Sequence, residues 1–177
     1  MRAVCPNDHI KSDQLPIDQI KSELISSSAQ ETYAIGKKLA GFLGPGSLVA
    51  LFGVLGSGKT RLTKGIACGL GLTENITSPT YTIINEYDIQ LTVNNEQLQN
   101  EELKTVKLYH IDAYRLENEK DFEDIGGLEI LESGGISIIE WSERIQKCLS
   151  AGIITVSIEI TGESSRLIKI TGLDKQL

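Results

Sequence analysis

The residues with the clearest chemistry are Gly53-Val54-Leu55-Gly56-Ser57-Gly58-Lys59-Thr60. They satisfy the pattern G-x-x-x-x-G-K-[ST] at every fixed place. The glycines let the main chain curl so that successive amide hydrogens face one point. The helix that follows adds partial positive charge there, and Lys59 adds a full one, which together suit a polyphosphate. Thr60 can offer its hydroxyl to magnesium. The arrangement works only between a strand and a helix, and both are at hand: Ser47 to Phe52 is a short apolar run, and Thr60 to about Leu70 reads as a helix closed by Gly69 and Gly71.

A phosphate loop needs an acid nearby to hold magnesium and to place the attacking water. Leu108-Tyr109-His110-Ile111-Asp112 and Ile136-Ser137-Ile138-Ile139-Glu140 are apolar strands that each finish in a carboxylate. That is where ligands collect at the carboxyl edge of an α/β sheet. Either acid alone could be an exposed strand end; two behind a P-loop point to a site. Ser78-Pro79-Thr80 follows the P-loop helix, where many P-loop proteins place a loop that senses the terminal phosphate, although such a triplet also suits an ordinary turn. With only His9 and His110 in the chain, any metal must be held by oxygen.

The elements that must position these groups follow from pattern. Ser28-Ala29-Gln30-Glu31 is a capping box opening a helix whose stripe is Ile35, Leu39 and Phe42/Leu43, stopped by Gly44-Pro45-Gly46. Tyr81 to Tyr87 and Thr105 to Ile111 are β-like, and the acidic, Asn/Gln-rich stretch between them suggests a long hairpin tip turning at Asn94-Asn95. Ser142 to Leu149 reads as a short helix, and Ile153 to Ile160 with Arg166 to Thr171 as a terminal hairpin. The expected fold is α/β: a P-loop NTPase-like mixed β-sheet flanked by helices, in a single domain over residues 29–177 with a hairpin insertion near 88–104. Residues 1–28 are expected to be a poorly ordered extension.

Composition narrows the function. A chain of 177 residues suits one domain. Its 24 acids against 17 bases leave a net charge of -7, the wrong sign for holding a nucleic-acid backbone through counterion release. Any nucleic acid is expected to be held by another component. Three scattered cysteines suggest neither a disulfide framework nor a zinc site and fit the reducing cytosol. The polar start, broken by Pro6 and Pro16, has no apolar run suited to a signal peptide or membrane span.

Taken together, Gly53 to Thr60, Ser78-Pro79-Thr80-Tyr81-Thr82, Tyr109-His110-Ile111-Asp112-Ala113-Tyr114-Arg115-Leu116 and Ile138-Ile139-Glu140-Trp141 resemble, in order and spacing, the TsaE (YjeE) family, over roughly Glu31 to Gly172. The resemblance implies a cytoplasmic ATPase that works with the TsaD and TsaB proteins in forming threonylcarbamoyladenosine on tRNA. It implies tRNA contact only through that complex, no membrane, and weak turnover without partners. Carried over by position, Lys59 and the loop backbone at Gly53, Leu55, Gly56, Ser57 and Gly58 would bind the phosphates of ATP or ADP. Thr60 and Glu140 would coordinate Mg2+, and Asp112 would be the acid needed for hydrolysis, so that Lys59, Asp112 and Glu140 form the catalytic set. Thr80 would belong to the sensing loop. Trp141 would lie beside the nucleotide, though a core aromatic suits it equally. Arg115 could offset phosphate charge, bind a partner or form a surface ion pair, and His110 reads as a strand residue.

Two departures stand out. The family commonly has an acid where Val54 stands and a second hydroxyl where Arg61 stands. Arg61 therefore either replaces a nucleotide-contacting hydroxyl or lies on the exposed helix face. A GTPase fares poorly as a rival, because Asn118-Glu119-Lys120-Asp121 has Glu119 inserted into Asn-Lys-x-Asp, and Asp124-Ile125-Gly126-Gly127 follows no apolar strand. A small-molecule kinase lacks an arginine-bearing lid. A nucleotide-dependent binding module with little hydrolysis of its own remains open beside the ATPase.

Overall fold

The computed structural model describes residues 20–74, 76–95, 100–150 and 152–173. In chain order the elements are β1 (Ile20–Ser26), α1 (Ala29–Leu39), β2 (Leu48–Phe52), α2 (Lys59–Gly69), β3 (Ile84–Asn95), β4 (Asn100–Asp112), α3 (Glu119–Asp124), α4 (Gly127–Glu132), β5 (Ile136–Glu140), β6 (Ile154–Ile160) and β7 (Arg166–Leu173). Short 3-10 turns cover Ala40–Phe42, Ala113–Arg115 and Ser142–Cys148. The strands form one sheet in the order β1-β7-β6-β2-β5-β4-β3. β6, β2, β5 and β4 run parallel; β7, β1 and β3 pair antiparallel at the flanks.

Parallel strands need helical crossovers, which cover both faces and make the central strands apolar throughout. β5 accordingly is buried at all five positions. The alternation of side chains sorts the core into two layers. Ile136 and Ile138 of β5 and Leu108 of β4 pack with Leu39, Leu62 and Ile66 of α1 and α2. On the other face Ile139, Tyr109 and Ile111 pack with Phe122 of α3 and Ile145. The result is the single α/β domain expected, a mixed sheet between two helical layers.

The capping box opens α1. The Glu31 amide donates to Ser28 Oγ (3.1 Å), while Glu31 Oε2 accepts from the Ser27 amide (2.7 Å). α1 and α2 touch backbone to backbone. A Cβ on Gly36 would run into the Leu62 carbonyl, one on Gly65 into the Tyr33 carbonyl, and one on Gly69 would lie 2.6 Å from the Lys37 carbonyl. This glycine seam draws the P-loop helix tightly onto its neighbour.

Three expectations are corrected. Residues 20–26, assigned to the extension, form β1 and pair with β7. Its inward face carries Ser22, Leu24 and Ser26, with Leu24 packed on the core and Ile25 exposed on the outer face, so the usual apolar-in pattern is diluted by serine; residues 1–19 lie outside the described residues. The stretch 88–104 is largely ladder rather than tip, paired from Ile84↔Ile111 to Asn95↔Asn100. Asn94 and Asn95 thus lie in β3, opposite Glu101 and Asn100, instead of forming the turn. α3 and α4, each six residues long, are additions to the expected elements.

Candidate functional site

β2, near the centre of the sheet, delivers the chain into the loop 53–58, and α2 leaves it. Left-handed backbone at Gly53 (φ 146°), Gly56 (φ 77°) and Gly58 (φ 111°) makes the curl that the glycines were expected to permit. Gly53 also has no room for a side chain, since a Cβ would lie 2.6 Å from the Ile158 carbonyl and 2.7 Å from Ser57 Oγ. Lys59 is buried, with Nζ donating to the carbonyls of Gly53 (2.6 Å) and Val54 (3.1 Å). The same ammonium sits 3.7 Å from the centroid of the Trp141 ring. Burial pushes the Lys59 pKa below the ordinary lysine value, and the charges of Glu140, Glu143 and Asp112 oppose that shift.

The expected acids stand side by side. Asp112 and Glu140 are register partners at the ends of β4 and β5, and Glu140 is in turn the partner of Leu51 in β2. Glu140 Oε2 accepts from Thr60 Oγ1 at 2.8 Å, and its Oε1 lies 2.8 Å from His110 Nε2. His110 and Glu140 are both buried, and His110 Nδ1 has no partner. Asp112 Oδ2 accepts from Thr80 Oγ1 (2.9 Å) and Ser78 Oγ (3.2 Å), while Oδ1 accepts from the Tyr114 amide (3.1 Å).

Among the described residues two non-glycine positions have left-handed backbone, and both border this cluster. Trp141 (φ 60°) follows Glu140, and this conformation goes with an indole lying under Lys59 and 4.9 Å from the Tyr114 ring. Ile83 (φ 66°) is β-branched, for which the conformation is a true outlier. It is held by its amide on the Pro79 carbonyl (2.6 Å) and by its carbonyl on the Asp112 amide (2.8 Å), tying loop 78–83 to the acid. Strain of this kind persists where surrounding structure over-determines it.

A cleft of about 420 Å³ lies among these groups, lined by Lys59, Thr60, Thr80, Asp112, Glu140 and Trp141 together with Leu55, Gly56, Gly58, Arg61, Ser78 and Tyr114. A larger open groove, about 580 Å³, lies at the opposite ends of β2 and β6 and is lined without a single ionisable side chain. The chemistry belongs to the smaller cleft. The Thr60 hydroxyl and Glu140 carboxylate are hard oxygen donors that fit magnesium, which takes one or two carboxylates and completes its shell with phosphate oxygens and water. Among the described residues no cluster of three or more His, Cys, Asp or Glu forms a protein-only metal cage.

Thus Lys59, Thr60, Thr80, Asp112, Glu140 and Trp141 converge, as do the loop residues Gly53 to Gly58. Ser57 Oγ is buried and has no partner among the described residues, and its amide donates to the Val54 carbonyl (3.1 Å). Arg61 reaches the cleft rim but turns toward α1, with Nε on the Ala29 carbonyl (3.0 Å) and its guanidinium over Tyr33. Arg115 lies over the Tyr81 ring. Asn118 is occupied in capping α3, with Oδ1 accepting from the Lys120 and Asp121 amides, which removes the remaining basis for a guanine-reading motif. Sequence reasoning passed over His110 as a partner of Glu140, the Tyr114 ring and Ser78. The i, i+2 spacing of His110 and Asp112 on one strand is the signal that places both on the same face. It also passed over Arg166, which reaches the P-loop from β7.

A family model described as threonylcarbamoyl adenosine biosynthesis protein TsaE matches residues 26–168. The chain belongs to the TsaE family. It is 38% identical over 146 residues to a Treponema pallidum protein named tRNA threonylcarbamoyladenosine biosynthesis protein TsaE, covering 82% of this chain and 97% of that one. It is 38% identical to the Bacillus subtilis protein of the same name over 81% of each chain. The crystal structure of Bacillus subtilis YdiB superposes with a TM-score of 0.64 at 30% identity, covering 88% of this chain and 87% of that one. The TsaE match spans every residue of the cleft. Among the described residues no helix is long and apolar enough to cross a membrane.

Proposed function

We propose that the chain binds Mg-ATP in the cleft and hydrolyses it to ADP and phosphate, in the service of threonylcarbamoyladenosine formation on tRNA. The observation that carries this reading is the row of Thr60, Glu140 and Asp112 directly behind the P-loop, with the two acids in register on adjacent strands. Lys59 exchanges the Gly53 and Val54 carbonyls for phosphate oxygens, and loop amides outside the Ser57-to-Val54 turn bond take the remaining charge. Thr60 and Glu140 would hold magnesium, which would supply charge neutralisation at the phosphate oxygens. Asp112, positioned by the Thr80 and Ser78 hydroxyls and the Tyr114 amide, orients a water on the γ-phosphorus and accepts its proton as the bond to the bridging oxygen breaks.

TsaD and TsaB are the proposed partners, in the cytoplasm, with tRNA engaged through them; the family membership and the net charge of -7 support this division. ATP hydrolysis measured with and without purified TsaD and TsaB tests the proposal. Lys59→Ala should abolish nucleotide binding, and Asp112→Asn should retain binding while losing turnover. Normal hydrolysis in both variants would overturn the assignment.

A further inference from the structure

We infer that Arg166 is a positioning residue that holds the P-loop in its nucleotide-receiving shape. This rests on the proposed nucleotide site and extends it to a residue outside the motif.

A loop whose amides turn inward toward an anion must turn carbonyls outward, and those carbonyls need donors of their own. Arg166, the first residue of β7, supplies them from a point more than a hundred positions along the chain. Its Nε donates to the Ser57 carbonyl (3.0 Å) and its Nη2 to the Gly56 carbonyl (3.3 Å). Nη1 is shared among the carbonyls of Ser165 (2.9 Å), Gly162 (3.2 Å) and Glu163 (3.3 Å), in the turn joining β6 to β7. All five acceptors are main-chain carbonyls, so this guanidinium is a splint between two backbone segments. The other end of the P-loop rests on the same hairpin, where Gly53 packs against the Ile158 carbonyl too closely for a Cβ. Ser57 cannot be fixed by its own side chain, whose buried Oγ has no partner. The β6–β7 hairpin therefore cradles the loop at both ends, and the planar fork is the part that a lysine could not copy. Because the guanidinium bonds to carbonyls on the loop's outer side, its effect falls on the cost of shaping the loop before phosphate arrives.

The test compares wild type with Arg166→Ala and Arg166→Lys, with thermal unfolding to verify the fold. In nucleotide-free protein, the amide of Ser57, which donates to the Val54 carbonyl (3.1 Å), should exchange with deuterium about ten-fold faster or more in both variants, the size expected from losing one charge-assisted hydrogen bond. Amides of β2 should keep their protection. ATP affinity by calorimetry should fall by a similar factor, with the kinetic loss in KM rather than kcat, and added guanidinium ion should restore affinity to Arg166→Ala. Unchanged exchange and affinity in a folded Arg166→Ala would overturn the inference. Wild-type behaviour in Arg166→Lys would show that charge without the fork suffices, and would overturn it too, as would a loss confined to kcat. If Arg166→Ala does not fold, Arg166→Lys decides alone. Should wild type bind no ATP, the functional proposal falls, while the exchange comparison still decides the role of Arg166.

Discussion

His110 and Glu140 form a buried pair whose energetic coupling can be measured directly. Each Glu140 oxygen has one partner, His110 on Oε1 and Thr60 on Oε2, and the side chains are 1% and 3% exposed for His110 and Glu140. Replacing His110 with Leu strands Oε1 in a dry site, and replacing Glu140 with Leu strands His110 Nε2 and the Thr60 hydroxyl. A buried polar atom left without its partner costs about 1–3 kcal/mol, and more for a charged one. His110 Nδ1 already lacks a partner, so Leu at 110 also relieves an existing penalty and the single-variant loss is partly offset. The double-mutant cycle removes that complication, because the Nδ1 relief and the Thr60 loss each occur in one single variant and again in the double variant, and so each subtracts out. His110→Leu, Glu140→Leu and the double variant, unfolded in urea at one pH, should give a coupling energy of about 2 kcal/mol, with the double variant more stable than the sum of the singles implies. Simple additivity, within about 0.5 kcal/mol, would refute the claim that His110 acts on Glu140.

Three further outcomes are expected. Removing residues 1–26 deletes β1 and its six register pairs with β7, at about 0.5 kcal/mol each, so urea denaturation should show a loss of about 3 kcal/mol. Gly65→Val forces a branched side chain onto the Tyr33 carbonyl and should cost about 3 kcal/mol by the same measurement; wild-type stability would show that α1 and α2 separate freely. Thr80→Val removes the shorter hydroxyl bond to Asp112, so kcat for ATP should fall about ten-fold or more while calorimetric affinity changes little.

Where chemistry demands particular residues in unbroken order, the sequence could be read. The glycines, Lys59 and Thr60 lie within eight consecutive positions, and the two acids announce themselves by closing apolar runs. β1 was missed because serines flank Leu24 on its inward face, leaving one apolar residue there and no alternation to detect. The hairpin arms were underestimated although Tyr87, Ile89, Leu91 and Val93 alternate with polar residues; the Asn- and Gln-rich composition masked a period of two. α3 and α4 are too short to display helical periodicity. His110 and Arg166 owe their roles to groups 30 and 109 positions away, a relation that only strand pairing and the closing of the terminal hairpin create.

The alignment of β4 against β5 has a consequence for how the molecule must fold. Side chains alternate along a strand, so a slip of a single residue would send His110 and Asp112 to the opposite side of the sheet, among Phe122 and its apolar neighbours. Such a mispaired chain could keep most of its hydrogen-bonded ladder yet lose the pairing of Asp112 with Glu140 behind the P-loop. Accuracy of assembly is thus inseparable from the geometry of the cleft, and the apolar layer that rejects those two polar groups acts as the proofreader.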